Sequence, residues 1–165
     1  MLEQFERAKR YLIKIENLYA GIFSSSGHDK EAYDDDDVVS FFIHCYHIRD
    51  WIIHLNKSGI TKQQVDLYIN QYQALKICSD LANGSKHYKL TRSLRTNCQP
   101  YISGTGVSSI WYTGNGGGEV MRCTYTISSN AEFFDALELA KECIQLWESF
   151  INELTIMKDQ HCPGN

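Results

Sequence analysis

The chain has 165 residues, 43% of them hydrophobic and 22% charged, which suffices for one packed domain and excludes disorder as its main state. The formal net charge of −4 draws no polyanion to the molecule as a whole, so a nucleic-acid contact needs a local basic patch. No apolar run approaches the ~20 residues of a membrane-spanning helix, and the charged start "MLEQFERAKR" lacks the apolar stretch of a secretory signal. The expectation is a cytoplasmic protein with no membrane partner.

Residues 2 to 23 carry Leu2, Phe5, Ala8, Leu12, Ile15, Leu18, Tyr19 and Ile22 at helical spacing, which predicts an amphipathic first helix ending at "SSSGHDK". A second helix is expected to start within "AYDDDDVV", whose aspartates suit the positive end of a helix dipole. From Val38 to Leu55 apolar residues occur on all sides, the mark of a central helix touched by several neighbours. "NKSG" breaks it. Thr61 and Gln64 then form a capping-box pattern, opening a third helical region through "VDLYINQYQALKICSDLA", with a bend near Gln71 and a weak point at Gly84.

Residues 98 to 128 change character. "VSSIWYT" and "EVMRCTYTI" flank the glycine-rich "GNGGG" and read as a β-hairpin, with "QPYIS" as a candidate third strand. From Asn130 the pattern is helical again, with Phe133, Phe134, Leu137, Ala140, Ile144, Trp147, Ile151 and Leu154 on one face. Residues 159 to 165 read as a frayed tail. The expected architecture is a single, mainly α domain: an antiparallel four-helix bundle with a small β-hairpin or three-stranded β-ribbon inserted between helices 3 and 4. The ribbon suits a cap on the bundle, an edge for a partner, or pairing with a second copy.

Six cysteines (Cys45, Cys78, Cys98, Cys123, Cys143 and Cys162) include no C-x-x-C pair, and most fall in apolar patterns, so reduced, packed thiols are expected. The polar groups of the central helix are less ordinary. His47, Asp50 and His54 share one helical stripe, and Asp80, Asn83 and His87 repeat the i, i+3, i+7 spacing on the next helical region. If the two stripes face each other, three readings are open. One is a structural hydrogen-bond network in which the aspartates accept from imidazole N–H groups. Another is a zinc or iron site built from His47, Asp50, His54, Asp80 and His87. The third is acid–base catalysis needing no cofactor.

The third reading draws on the string "RDWIIH", residues 49 to 54. It resembles the R-x4-H motif of HEPN domains, small helical bundles that often dimerise. Many are metal-independent endoribonucleases of toxin–antitoxin or phage-defence systems. The resemblance implies that Arg49 contacts the scissile phosphate, His54 handles the 2′-OH or the leaving oxygen, and Asp50 orients the histidine, with His47 assisting. It further implies RNA as substrate, a homodimer sharing the cleft, and an antitoxin or other protein partner. Independently, "SKHYKLTRSLR" gathers Lys86, His87, Lys89, Arg92 and Arg95 into a candidate phosphate-binding patch. The bland counterpart is a non-catalytic interaction module, with the basic residues solvated or paired with the aspartates at 34 to 37.

Overall fold

A computed structural model describes residues 2–22, 30–55, 59–85, 93–113 and 118–160. Five helices and one three-stranded sheet follow each other as α1 (Leu2–Ala20), α2 (Lys30–Leu55), α3 (Lys62–Gln71), α4 (Gln73–Gly84), β1 (Tyr101–Tyr112), β2 (Gly118–Ser129), β3 (Glu132–Asp135) and α5 (Ala136–Gln160). The expected four-helix bundle is therefore incorrect: the fold is mainly α with five helices, and the antiparallel sheet stands between α4 and α5.

Two local events separate the observed fold from the expected one. The third helical region breaks at Tyr72, whose backbone is extended (φ −116°, ψ 127°), leaving α3 and α4 as separate rods. No proline or glycine imposes this break. Tyr68 stacks on Phe150, and its hydroxyl donates to the Leu146 carbonyl at 2.7 Å, which holds α3 against α5. The change of direction at Tyr72 lets α4 turn Ala74, Leu75, Ile77 and Cys78 into the core independently of Val65 and Ile69 on α3. The capping box at Thr61 forms as the sequence suggests: the Gln64 amide donates to Thr61 Oγ1, and the Thr61 amide donates to Gln64 Oε1.

The second event is β3. "QPYIS" is not a third strand, because Tyr101 already begins β1. The third strand comes from Glu132–Asp135, which the apolar spacing assigned to the last helix. Asn130 (φ 52°) and Ala131 (φ 62°) make a two-residue turn in the left-handed region, folding β3 back on β2 so that Ser129 pairs with Glu132 and Thr126 with Asp135. Phe133 consequently projects into solvent. Asp135 then caps α5, its Oδ1 accepting from the Leu137 and Glu138 amides at 3.0 Å.

One core serves all of these elements. α2 contributes Val38, Phe41, Phe42, Cys45, Ile48 and Ile52 and touches α1, α3, α4 and α5, as a central helix should. α2 begins at Lys30, so the aspartate run lies inside the helix and is not its start. Asp37 pairs with Lys14 of α1 at 2.7 Å. α5 buries Leu139, Ala140, Cys143, Trp147, Phe150 and Ile151. α1 ends in a Schellman motif: the Gly21 amide donates to Leu18 O and the Ile22 amide to Asn17 O, with Gly21 at φ 76°. Ile22, counted in the apolar stripe by spacing, lies past that cap and is exposed.

The sheet joins this core through β2, where Cys123, Tyr125 and Ile127 are buried. The Tyr19 hydroxyl links three elements: it accepts from the Tyr125 amide at 2.9 Å and lies 3.1 Å from both Tyr125 O and Asp135 Oδ2. Burial, followed by the nearby Asp135 carboxylate, pushes this phenol up to about 12. No helix among the described residues is long and apolar enough to cross a membrane.

Candidate functional site

The polar residues of α2 do not fill its core. Arg49 and Asp50 are half-buried at the rim, while His54 is exposed in the last turn. His44 stacks on Tyr11 with ring centroids 4.8 Å apart and meets His47 edge-on. Gln4 of α1 donates to the His44 carbonyl at 2.8 Å.

Arg49 is held by carboxylates. Its Nε donates to Asp66 Oδ1 at 2.8 Å and its Nη2 to Asp66 Oδ2 at 2.9 Å, a bidentate pair joining α2 to α3. Its Nη1 donates to Asp50 Oδ1 at 2.7 Å. These bonds, led by those to Asp66, raise the guanidinium further above its ordinary value and keep it charged. Arg95 completes the cluster: Nη2 donates to Asp66 Oδ1 at 2.7 Å, Nε to Ser79 Oγ at 3.1 Å, and Nη1 to Asn70 Oδ1. Burial alone would raise the Asp66 carboxyl, but hydrogen bonds from Arg49 and Arg95 outweigh it and hold the group below the usual carboxylate range.

Asp80, expected to face the histidines, is committed elsewhere. It is buried on α4, and its Oδ2 accepts from the Thr96 amide at 2.6 Å and from Thr96 Oγ1 at 2.7 Å. Gln99 Nε2 donates to the Asp80 carbonyl at 2.9 Å. The segment after residue 92 is thereby fastened to α4. A polar cleft of about 880 Å³ opens beside this arrangement, with Tyr46, Asn70, Lys76, Asn83, Ser93 and Arg95 among its walls.

Of the expected catalytic set, Arg49 and Asp50 are hydrogen-bonded to each other, whereas His54, exposed one turn on from Asp50, lies about 140° around the helix from Arg49, as residues five apart must. Of the expected basic patch, Arg95 lies in the cleft wall, while Lys86, His87, Lys89 and Arg92 lie outside the described residues. Among the described residues, the expected metal ligands His47, Asp50, His54 and Asp80 form no group of converging donors. Asp66, Asn70, Ser79 and Thr96 are the partners that sequence reasoning missed. The aspartate in "QQVDLY" and the serine in "KICSDL" read as ordinary helix residues, and only the packing of α2 on α3 and of the 93–98 segment on α4 reveals them.

A different group of donors does converge. Cys45 on α2, Cys78 on α4 and Cys143 on α5 are fully buried, and their three Sγ atoms lie within 4.8 Å of one another. All are free thiols. Cys78 donates to Phe42 O and Cys143 to Ala74 O, both at 3.5 Å. Burial opposes ionisation of each. The neighbouring Cys143 and Cys78 thiols lower Cys45 despite its burial, while Cys78 and Cys143 are pushed well above the usual thiol range.

The β-ribbon carries a second exposed feature. The sheet order β1-β2-β3 leaves β1 with one unpaired edge among the described residues, and its sequence "YISGTGVSSIWY" contains no charged residue and no proline. Val107 pairs with Cys123 and Ser109 with Met121, so these residues share the face that is buried at Tyr125 and Ile127. Beyond Cys123 that face emerges from the helices: Val107 is 55% exposed, Met121 42% and Trp111 70%.

Comparison with known protein families, with curated proteins and with solved structures returns no match to this chain.

Proposed function

We propose that this protein is a non-catalytic protein-interaction module, in which the Arg49–Asp66–Arg95 cluster is structural and a partner strand adds to the open edge of β1. The observation that carries the reading is that edge: twelve residues long, uncharged, without proline, and flanked by exposed Val107 and Trp111. Monomeric proteins ordinarily blunt such an edge with lysine, proline or a cover, because its free N–H and C=O groups template further pairing. The partner we assign to this edge is a second copy of the chain, its β1 antiparallel across a two-fold axis.

The commitment of Arg49 supports the non-catalytic half of the reading. A guanidinium bonded to both oxygens of Asp66 and to Asp50 has three of its five N–H donors engaged and its charge faced by two carboxylates, which disfavours a role on a phosphate. His54 is exposed in the last turn of α2, about 140° around the helix from Arg49.

Sedimentation velocity over a concentration series tests the edge, comparing the wild type with Val107→Lys/Ser109→Lys. The wild type should associate to a dimer and the double variant stay monomeric with an unchanged helical circular dichroism signal. A wild type that remains monomeric throughout removes the edge-pairing reading. RNA cleavage that disappears in both Arg49→Ala and His54→Ala restores the ribonuclease expectation.

A further inference from the structure

We propose that Cys45, Cys78 and Cys143 form a buried site for trivalent arsenic or antimony, bound as a neutral tris-thiolate. Three sulfurs from three different helices converge within 4.8 Å, and exposure of the three residues is 0%, 1% and 0%. A central atom bonded to three sulfurs at about 2.3 Å, the zinc–thiolate length, holds them roughly 3.5 to 4 Å apart, so closure asks each to move less than about 1 Å. Two of the thiols have only long contacts to helix carbonyls to give up. Trp147, 1% exposed, has no hydrogen-bond partner for its indole Nε1 among the described residues.

Charge and donor number select the occupant. A divalent zinc with three thiolates carries one net negative charge, and a monovalent copper carries two. Neither is tolerable in an apolar interior without a compensating cation. Zinc also calls for a fourth ligand, whereas no fourth His, Cys, Asp or Glu joins the group among the described residues. A trivalent centre with a lone pair takes three sulfurs in a pyramid and leaves no charge. The exchange is balanced: As(OH)3 and three thiols give As(SR)3 and three waters. Three As–O bonds break and three As–S bonds form. Each thiol proton leaves with a hydroxide, and arsenic stays in the +3 state throughout. The product is neutral, so the occupied site carries no charge in the core. Because the sulfurs are sealed, uptake and release must await local opening of the helices, and both should be slow.

The test uses sodium arsenite. The reduced full-length chain is refolded from denaturant with and without one equivalent, and unbound arsenic is removed. Intact-mass spectrometry should find one arsenic atom less three protons per chain. Cys45, Cys78 and Cys143 should resist alkylation after denaturation while Cys98 reacts, and the melting temperature should rise. Each of Cys45→Ala, Cys78→Ala and Cys143→Ala should lose the bound atom, and Cys98→Ala should retain it. X-ray absorption on the wild type should show three sulfurs and no oxygen around arsenic, a result that does not depend on any variant folding. Failure of the wild type to retain arsenic overturns the site. So does equal retention by all three variants, a mixed sulfur and oxygen shell, or displacement of arsenic by equimolar zinc or copper(I).

Discussion

Asp66 of α3 grips the guanidinium of Arg49 on α2 with both carboxylate oxygens, at 2.8 and 2.9 Å, and shares one of those oxygens with Arg95. One carboxylate thus fastens two helices and the segment that leads into β1. Replacing it by an amide, Asp66→Asn, leaves two partly buried guanidinium groups facing a neutral partner. The expected loss is about 2 to 3 kcal/mol, measured as the difference in urea unfolding free energy at neutral pH. An unchanged midpoint means that the cluster does not hold the fold together.

The same carboxylate should leave a pH signature. Its folded value lies below its unfolded one, because the bonds from Arg49 and Arg95 outweigh burial. Its stabilising contribution is therefore complete above the unfolded value of about 3.9 and is lost as pH falls through the lower folded value. The stability gap between wild type and Asp66→Asn should stay constant from neutral pH to about pH 5 and shrink below about pH 4. A gap of constant size down to acid unfolding contradicts the assignment.

Asp80 latches Thr96 from within the core, with its Oδ2 2.6 Å from the Thr96 amide. Asp80→Ala leaves that N–H buried without an acceptor, at a cost of about 1 to 3 kcal/mol. Hydrogen exchange is the sharper measurement, because the Thr96 amide should lose protection more than the amides of α5. Equal protection in both proteins means that water or another group takes the carboxylate's place.

Gly21 and Gly59 have nearly the same backbone, φ 76° and 70°, but different surroundings. A Cβ at Gly21 collides with Val120 Cγ1 and the Met121 carbonyl, whereas at Gly59 it meets nothing within 4 Å. Gly59→Ala should cost only the left-handed backbone penalty, about 1 kcal/mol. Gly21→Ala adds a clash that pushes α1 from β2, for a total of roughly 2 to 4 kcal/mol. Equal melting temperatures for the two variants exclude a close α1–β2 contact.

The sequence alone determined what depends on short-range chemistry. Apolar spacing located α1, α2 and α5, Thr61 and Gln64 announced their capping box, and the two β-rich runs announced β1 and β2. These signals are local, because each follows from residues within one or two turns of one another. The break at Tyr72 carries no such signal, since the residues that hold it, Leu146 and Phe150, lie more than seventy positions away. β3 was hidden for a related reason: "NAEFFDALELA" has helical apolar spacing, and the turn uses Asn130-Ala131 where a glycine would have been the visible cue.

The candidate sites divide in the same way. Arg49, Asp50 and Asp80 were legible as unusual polar residues in apolar helices, but their partners Asp66, Arg95 and Thr96 come from other elements, so tertiary structure decided whether they were available or already bound. The thiols show the limit most clearly. Cys45, Cys78 and Cys143 have no motif spacing and were read singly as packed core residues. Only the meeting of α2, α4 and α5 makes them a set of three, because a side chain's chemistry is written in the sequence while the identity of its neighbours is set by how the chain folds.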